Sequence, residues 1–378
     1  MGHTSSQPST TISTTLATMF SLLLSLPLYA LPLEQLKLAE GYKVSVVAKA
    51  KNARQIALGE PGTLFVGSRK EGKVYRLRDR DGDGIYEQQE ILLKRLNMPS
   101  GIAYRDGDLY VAAVNQILRV ADAGTLTQLP VSAELITDNL PDIKHHGWKY
   151  LKFGPDGDLY FNLGAPCNSC LSQDHRFASI LKLNLQTTQQ TIVAQGVRNS
   201  VGFAWHPSSN ELWFTDNGRD HLGDDQPDDE LNRLSESGQH FGYPYVHAGN
   251  IPDPTLYQGQ PFTKFQPPVL KLGAHVAPLG LSFYTGDQFP DANQNSLFIA
   301  EHGSWNRSSK VGYRVLQVDT STTPVTYKVF LEGWLQGESA WGRPVDIVTD
   351  RDGSLLISDD RAGVIYRVSY RVGYRKPE

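Results

Sequence analysis

One short unit recurs six times along this chain and constrains its fold more than any other feature: an apolar strand entered through a turn rich in Gly, Asp and Asn. The copies are Pro61-Gly62-Thr63-Leu64-Phe65-Val66, Asp106-Gly107-Asp108-Leu109-Tyr110-Val111, Asp156-Gly157-Asp158-Leu159-Tyr160-Phe161, Asn210-Glu211-Leu212-Trp213-Phe214, Gln294-Asn295-Ser296-Leu297-Phe298-Ile299 and Asp352-Gly353-Ser354-Leu355-Leu356-Ile357. Their leucines, at 64, 109, 159, 212, 297 and 355, are 45, 50, 53, 85 and 58 residues apart, mostly the length of a four-stranded propeller blade, and the long step marks an insertion. Partner runs such as Lys73-Val74-Tyr75-Arg76-Leu77 and Val364-Ile365-Tyr366-Arg367-Val368 alternate apolar and polar residues as half-buried strands do. No helical period of comparable length appears between 33 and 370. The pattern predicts an all-β chain, a six-bladed β-propeller with four-stranded antiparallel blades. Tyr42-Lys43-Val44-Ser45-Val46-Val47 is expected to close onto the blade containing Tyr366, which removes a free sheet edge.

Of 378 residues, 40% are apolar and 20% charged, enough for one large all-β domain. The formal net charge is -4 and the basic residues are scattered, so no nucleic-acid surface is expected and a small soluble ligand is the better partner. Residues 16–30 form an apolar run too short for a spanning helix but suited to a signal-peptide core, although 1–15 carry no Lys or Arg. We read 1–30 as a signal peptide cleaved at Ala30 and 31–378 as the propeller domain, periplasmic or secreted, with no membrane span in the mature chain. The only cysteines, Cys167 and Cys170, are spaced CxxC, which in an exported protein predicts a local disulfide. A zinc site would need two more soft ligands and a thioredoxin-like motif a βαβ context. Covalent haem would need His where Leu171 stands.

Candidate site residues are spread along the chain at blade spacing, as a site built from several loops at one mouth requires. His146, in Lys144-His145-His146-Gly147-Trp148, is a candidate base or an ordinary loop histidine. Arg198 and Asn199 hold the corresponding place one blade on, and also read as loop-capping residues. The acidic stretch from Thr215-Asp216-Asn217-Gly218-Arg219-Asp220 to Asp228-Asp229-Glu230 suits a hard cation, with Glu230 a candidate ligand, or is a solvated loop. The loop from Asp79 to Glu90 has carboxylates at Asp79, Asp81, Asp83 and Glu90 and a turn glycine at Gly84, the sixth position. It reads as a structural calcium loop or a solvated hairpin turn.

The strings GVRNSVGFAWHP from Gly196, ELWFTDNGRDHLGDD from Glu211 and HHGWKYLKFGPDGDLYFNLGAPCNSC from His145 resemble the soluble quinoprotein glucose and sorbosone dehydrogenase family. So do APLGLSFYTG, FIAEHGSWNRS and DGSLLISDDRAGVIYRVSY further on; the sorbosone-dehydrogenase-like and pyranose-dehydrogenase branch is the nearest, over about 33–370. The resemblance implies pyrroloquinoline quinone over the channel mouth and a calcium ion held by the cofactor and backbone carbonyls. It makes His146 the general base that takes the substrate hydroxyl proton while hydride leaves for the quinone. It places Arg198 and Asn199 on the quinone, and the carbonyls of Gly218 and Arg219 on Ca2+. Where glucose dehydrogenases carry a fifth-blade Lys, His302 is the candidate here, with His275 a weaker one. Where they carry Arg-x-Arg-Asp, this chain has Arg343-Pro344-Val345-Asp346, keeping only the first Arg. Ala165 replaces the Asp that orients the histidine, so an orienting partner is expected from elsewhere, and a Cys167–Cys170 disulfide would rigidify that loop.

The function expected on this resemblance is oxidation of an aldose, pyranose or sorbosone-like aldehyde to a lactone or acid. With no haem attached, an external cytochrome, quinone or copper protein is the expected electron acceptor. Specificity is expected from rim loops 222–227 and 247–260. A calcium-dependent propeller lactonase and a non-catalytic binding propeller are the alternatives; neither needs an Arg198-Asn199 pair in register with His146.

Overall fold

The computed structural model describes residues 1–3 and 31–370, so the apolar run at 16–30 lies outside the described residues. From Leu33 onward the chain forms six antiparallel sheets in sequence order. Blade one is Ala53–Leu58, Thr63–Ser68, Val74–Arg78 and Gln88–Leu93; blade two is Gly101–Arg105, Asp108–Ala112, Ile117–Val120 and Glu134–Thr137. Blade three is Leu151–Phe153, Leu159–Leu163, Ser179–Leu183 and Gln190–Gln195; blade four is Phe203–Trp205, Leu212–Asp216, Asp228–Leu234 and Leu270–Ala274. Blade five is Pro278–Phe283, Leu297–Glu301, Arg314–Asp319 and Thr326–Glu332. Blade six combines Pro344–Thr349, Leu355–Asp359 and Val364–Tyr370 with Tyr42–Lys49, which pairs Val46 with Tyr366 and closes the ring as the strand pattern predicts. The six repeated units are the second strands of the six blades.

Two additions have no signal in the repeat. Lys37–Leu38 extends blade five beside Thr326–Glu332, and Gln239–His240 pairs in parallel with Gln190–Gln195 of blade three. Both cover an outer edge strand that would otherwise present unpaired N–H and C=O groups. The second of them belongs to the insertion between the third and fourth strands of blade four, which accounts for the long step and also carries the short hairpin Val246–His247 and Ile251–Pro252.

Five of the second strands are buried at every position, because neighbouring blades cover both of their faces. The apolar core therefore lies between blades. One cluster joins Leu64, Val66 and Leu77 of blade one to Leu356 and Ile365 of blade six, and another joins Trp213 and Leu231 of blade four to Leu281, Ile299 and Leu316 of blade five.

Each first strand has one edge turned to the axis with no strand beyond it. Its backbone groups must still find partners. Gln55 supplies some: its Nε2 donates to the Leu151 carbonyl (2.6 Å), and its Oε1 accepts from the amides of Ile102 and Leu151 (2.9 Å each). Asp346 of blade six accepts from the Ile56 amide of blade one (2.9 Å) and the Tyr150 hydroxyl before blade three (3.3 Å). Thr215 of blade four donates to the Leu279 carbonyl of blade five (2.7 Å). Such contacts need the strands close together. A Cβ on Gly202 would lie 2.2 Å from the Leu279 carbonyl oxygen. Gly202→Ala is expected to lower the unfolding free energy by about 1–3 kcal/mol, read as a reduced urea midpoint. An unchanged midpoint would show that the Leu279 backbone moves aside freely.

Candidate active site

In every blade the chain enters the first strand and leaves the second at the same end. The residues just before first strands and just after second strands therefore converge on one mouth. Before first strands stand Met98, His146, Arg198 with Asn199, His275 with Ala277, and Arg343; after second strands stand Arg69, Asn217 with Gly218, and His302. All of these line one cleft of about 590 Å³, together with Arg54, Lys144, His145, Trp148, Asp220, Asp229 and Trp305.

His146 is buried and sits at φ 48°, a left-handed backbone conformation costly for a side chain with a Cβ. Its Nδ1 lies 2.9 Å from the Ala165 carbonyl oxygen. A carbonyl only accepts, so Nδ1 carries the proton and the Nε2 lone pair is left for another group. The orienting partner thus comes from the main chain of the very residue whose side chain lacks a carboxylate, which corrects the expectation that it lies elsewhere. Burial, the Arg198 guanidinium and then His145 hold the His146 pKa well below the ordinary histidine value. Trp148 meets the ring edge-on at 5.7 Å.

Arg198 is buried and held at four points: Nε donates to the Asn168 carbonyl (2.9 Å), Nη1 to the Asn217 carbonyl (3.0 Å), and Nη2 to Asn168 Oδ1 (2.8 Å) and Asp220 (3.0 Å). The amides of Arg198 and Asn199 donate to the two oxygens of Asp216 (2.8 and 2.6 Å) at the end of the blade-four second strand. Burial raises Asp216 to about 7 against those amides. The Asn199 side-chain oxygen is buried with no partner.

His302 Nε2 lies 2.8 Å from Asp360, which also takes Arg54 at 3.0 Å. Burial pushes His302 down to about 4 despite Asp360, so the ring is neutral; Asp360, which burial alone would raise, is held well below the usual carboxylate range by His302 and Arg54. Arg343 donates to the carbonyls of His302 (2.9 Å) and Gly303 (2.5 Å). His275 Nε2 donates to the Gly223 carbonyl (2.8 Å). The guanidinium of Arg69 stacks 3.8 Å from the centre of the Trp148 ring, and burial followed by Arg54 lowers its pKa to about 10.

Gly218 lines the cleft, its amide donating to Asp229 (2.6 Å), whereas the Arg219 side chain turns away to pair with Asp253. Glu230 does not line the cleft. Successive side chains on a strand face opposite ways, and Glu230 is buried, accepting from the Ala248 amide and Asn232 (2.8 Å each), while Asp229 reaches the mouth. The Asp79 loop is a hairpin turn of blade one in which Asp79, Asp81 and Glu87 come together. Glu90 is not with them: it lies in the strand Gln88–Leu93 and is bound by Arg76 (2.7 Å) and Arg78 (3.1 Å), and Asp83 caps the Ile85 amide (2.7 Å). Cys167 and Cys170 form the expected disulfide. Of the expected rim loops, neither 222–227 nor 247–260 contributes a cleft-lining side chain; an exposed Trp305 does.

Arg54, Arg69, Trp148 and Trp305 have no sequence signal of their own, and Asp229 lies in the acidic stretch from which Glu230 was singled out. Counting positions from the end of blade one's second strand would have found Arg69, whereas Arg54 lies within the first strand. For His146, 15N NMR of the protein at pH 6.5 is expected to show a neutral ring protonated on Nδ1; a charged imidazolium there would contradict this geometry.

The chain matches the model of the TrAA12-like family over residues 36–371. It is 40% identical over 354 residues to an uncharacterized protein of Borreliella burgdorferi, covering 89% of this chain and 91% of that one. It is 23% identical over 427 residues to the pyrroloquinoline quinone-dependent pyranose dehydrogenase of Coprinopsis cinerea, covering 90% of this chain and 56% of the relative, so it spans a little over half of that enzyme's length. The calcium structure of the Trichoderma reesei Carbohydrate-Active Enzymes Family AA12 protein superposes with a TM-score of 0.74 at 22% identity, over 89% of this chain and 97% of that one, a likeness of fold. With the match running through all six blades, the chain belongs to the TrAA12-like family.

Proposed function

We propose that this chain is an oxidoreductase, dependent on pyrroloquinoline quinone and Ca2+, that oxidises an aldose, pyranose or sugar aldehyde to a lactone or acid. An external cytochrome, quinone or copper protein takes the electrons. The observation that carries this is the charge of the cleft: five cationic side chains, Arg54, Arg69, Lys144, Arg198 and Arg343, face two carboxylates, Asp220 and Asp229. That excess fits a tricarboxylate planar ligand. Among the described residues Arg69 has an aromatic neighbour but no hydrogen-bonded anion, and the Asn199 oxygen is a buried acceptor without a partner. A lactonase needs neither feature. The name of the Coprinopsis cinerea relative supports the reading.

Arg69, Arg198, Asn199 and Arg343 would hold the quinone, and the carbonyls of Gly218 and Arg219 the calcium ion. When bound, the quinone supplies a two-electron acceptor for hydride and calcium a Lewis acid that polarises it. The chain supplies the proton chemistry. His146 Nε2 receives the substrate hydroxyl proton, and the Ala165 carbonyl, already hydrogen-bonded to Nδ1–H, fixes the ring and stabilises the charge it acquires. Trp148 packs edge-on against the ring. Export is part of the proposal, supported by the apolar run at 16–30 and by the disulfide. No helix among the described residues is long and apolar enough to cross a membrane.

His146→Ala is expected to lower turnover by about 10²–10⁴-fold while leaving quinone affinity nearly unchanged. Turnover requires the neutral ring. Since burial and Arg198 lower its pKa, activity should persist as pH falls through 6.5, and kcat/KM measured from pH 5 to 8 is expected to show its acid limb below that value. Arg69→Met is expected to weaken quinone binding about tenfold, the scale of one charge-assisted contact. The deciding test adds the quinone and Ca2+ to purified protein and follows dye reduction with aldoses, sorbosone and simple alcohols, with a calcium-free control. Reduction that needs both additions supports the proposal. No quinone uptake, by absorbance or thermal shift, would end it.

A further inference from the structure

The turn Cys167-Asn168-Ser169-Cys170 lies beside the cleft without lining it, and its hydrogen bonds point to one residue of the site. The Asn168 carbonyl accepts from Arg198 Nε (2.9 Å). The Asn168 Oδ1 accepts both from Arg198 Nη2 (2.8 Å) and from the Asp220 amide (2.9 Å), and its Nδ2 donates to the Asp220 carbonyl (3.0 Å). Two of the four bonds that fix the Arg198 guanidinium therefore come from Asn168. The same residue grips the main chain two residues beyond Gly218.

The turn is itself held at several points. The disulfide closes it, the Cys170 amide donates to the Tyr243 hydroxyl (3.1 Å), and Ser169 donates to Asp253 (2.8 Å), the carboxylate that also takes Arg219 and His247. A guanidinium on a long side chain carries large rotamer freedom, and a site that recognises a planar anion gains by having that freedom removed beforehand.

We propose that Asn168, presented by the disulfide-closed turn, is the positioning residue that sets Arg198 and the segment 217–220 for ligand binding. This rests on the proposed function for the identity of the ligand, but its geometry belongs to the free protein. The disulfide then serves the site as well as the fold: it holds the Asn168 carbonyl, which no side-chain replacement can supply, at the height of Arg198 Nε.

The test uses the full chain as Asn168→Ala, Asn168→Asp and the double variant Cys167→Ser/Cys170→Ser, each checked by thermal unfolding. Two readouts are taken: amide hydrogen exchange of the peptide containing Asp220 without any ligand, and the Kd of pyrroloquinoline quinone by tryptophan quenching. Asn168→Ala is expected to speed Asp220 exchange and raise the Kd about tenfold, the scale of losing hydrogen bonds to a charged group. Asn168→Asp keeps the Oδ1 acceptor for Arg198 but loses the Nδ2 donor to the Asp220 carbonyl, so it is expected to restore the Kd more than the exchange protection, and the double variant should fall between the parent and Asn168→Ala. Exchange and affinity both unchanged in Asn168→Ala would overturn the positioning role. A Kd for the Asp variant no better than that of Asn168→Ala would also count against it, since the loss would then not follow the acceptor that holds Arg198. If the parent chain takes up no quinone, the proposed function fails, and the exchange measurement alone decides the role of Asn168.

Discussion

The inner edges of the six first strands face one another across the axis, and the rest of the structure depends on how their backbone groups are satisfied. The buried backbone groups of a strand edge must find partners. Here the partners are side chains from other blades, with Gln55 serving blades two and three, Asp346 serving blade one and Thr215 serving blade five. Each such bond ties blades together and fixes their spacing. That spacing in turn fixes where the loops at the mouth begin.

The same device, a buried carboxylate accepting from backbone amides, recurs one layer up. Asp216 holds the amides of Arg198 and Asn199, Asp229 those of Gly218 and Ala277, and Asp359 those of Arg361 and Ala362. Burial raises Asp216, Asp229 and Asp359 to about 7, 6 and 6. Carrying their charge in the fold therefore costs stability, and holding the loops is what they contribute. Above this layer the mouth carries guanidinium groups in excess, and burial first, then Arg198 and His145, lower the His146 pKa. Arg198 thus lines the cleft and also adds to burial in lowering the His146 pKa.

Much of this was legible from residues alone. The six Leu-initiated strands are second strands because only a strand covered on both faces reads as an unbroken apolar run, and Tyr42–Lys49 closes blade six as its alternation suggested. His146, Arg198, Asn199, His275, His302 and Arg343 share one cleft because all occupy equivalent ends of blades. What failed did so for local reasons. Glu90 satisfies a calcium-loop spacing, but that spacing presumes a helix after the loop, and on a strand the residue turns to Arg76 and Arg78. Glu230 was one strand position out of place, which reverses the face of a side chain. Ala165 was judged by its missing carboxylate, although its carbonyl does the orienting.

The sequence by itself determined the number of blades, the closure of the ring and several of the residues that reach the mouth, because strand period and repeat spacing are written along the chain and require no partner to be known. Only the tertiary structure decided which groups meet there. The stacking of Arg69 on Trp148, the pairing of His302 with Asp360 across blades and the grip of Asn168 on Arg198 join residues 79, 58 and 30 positions apart. Such contacts arise from the packing of one blade against the next, which fixes distances that no local pattern encodes.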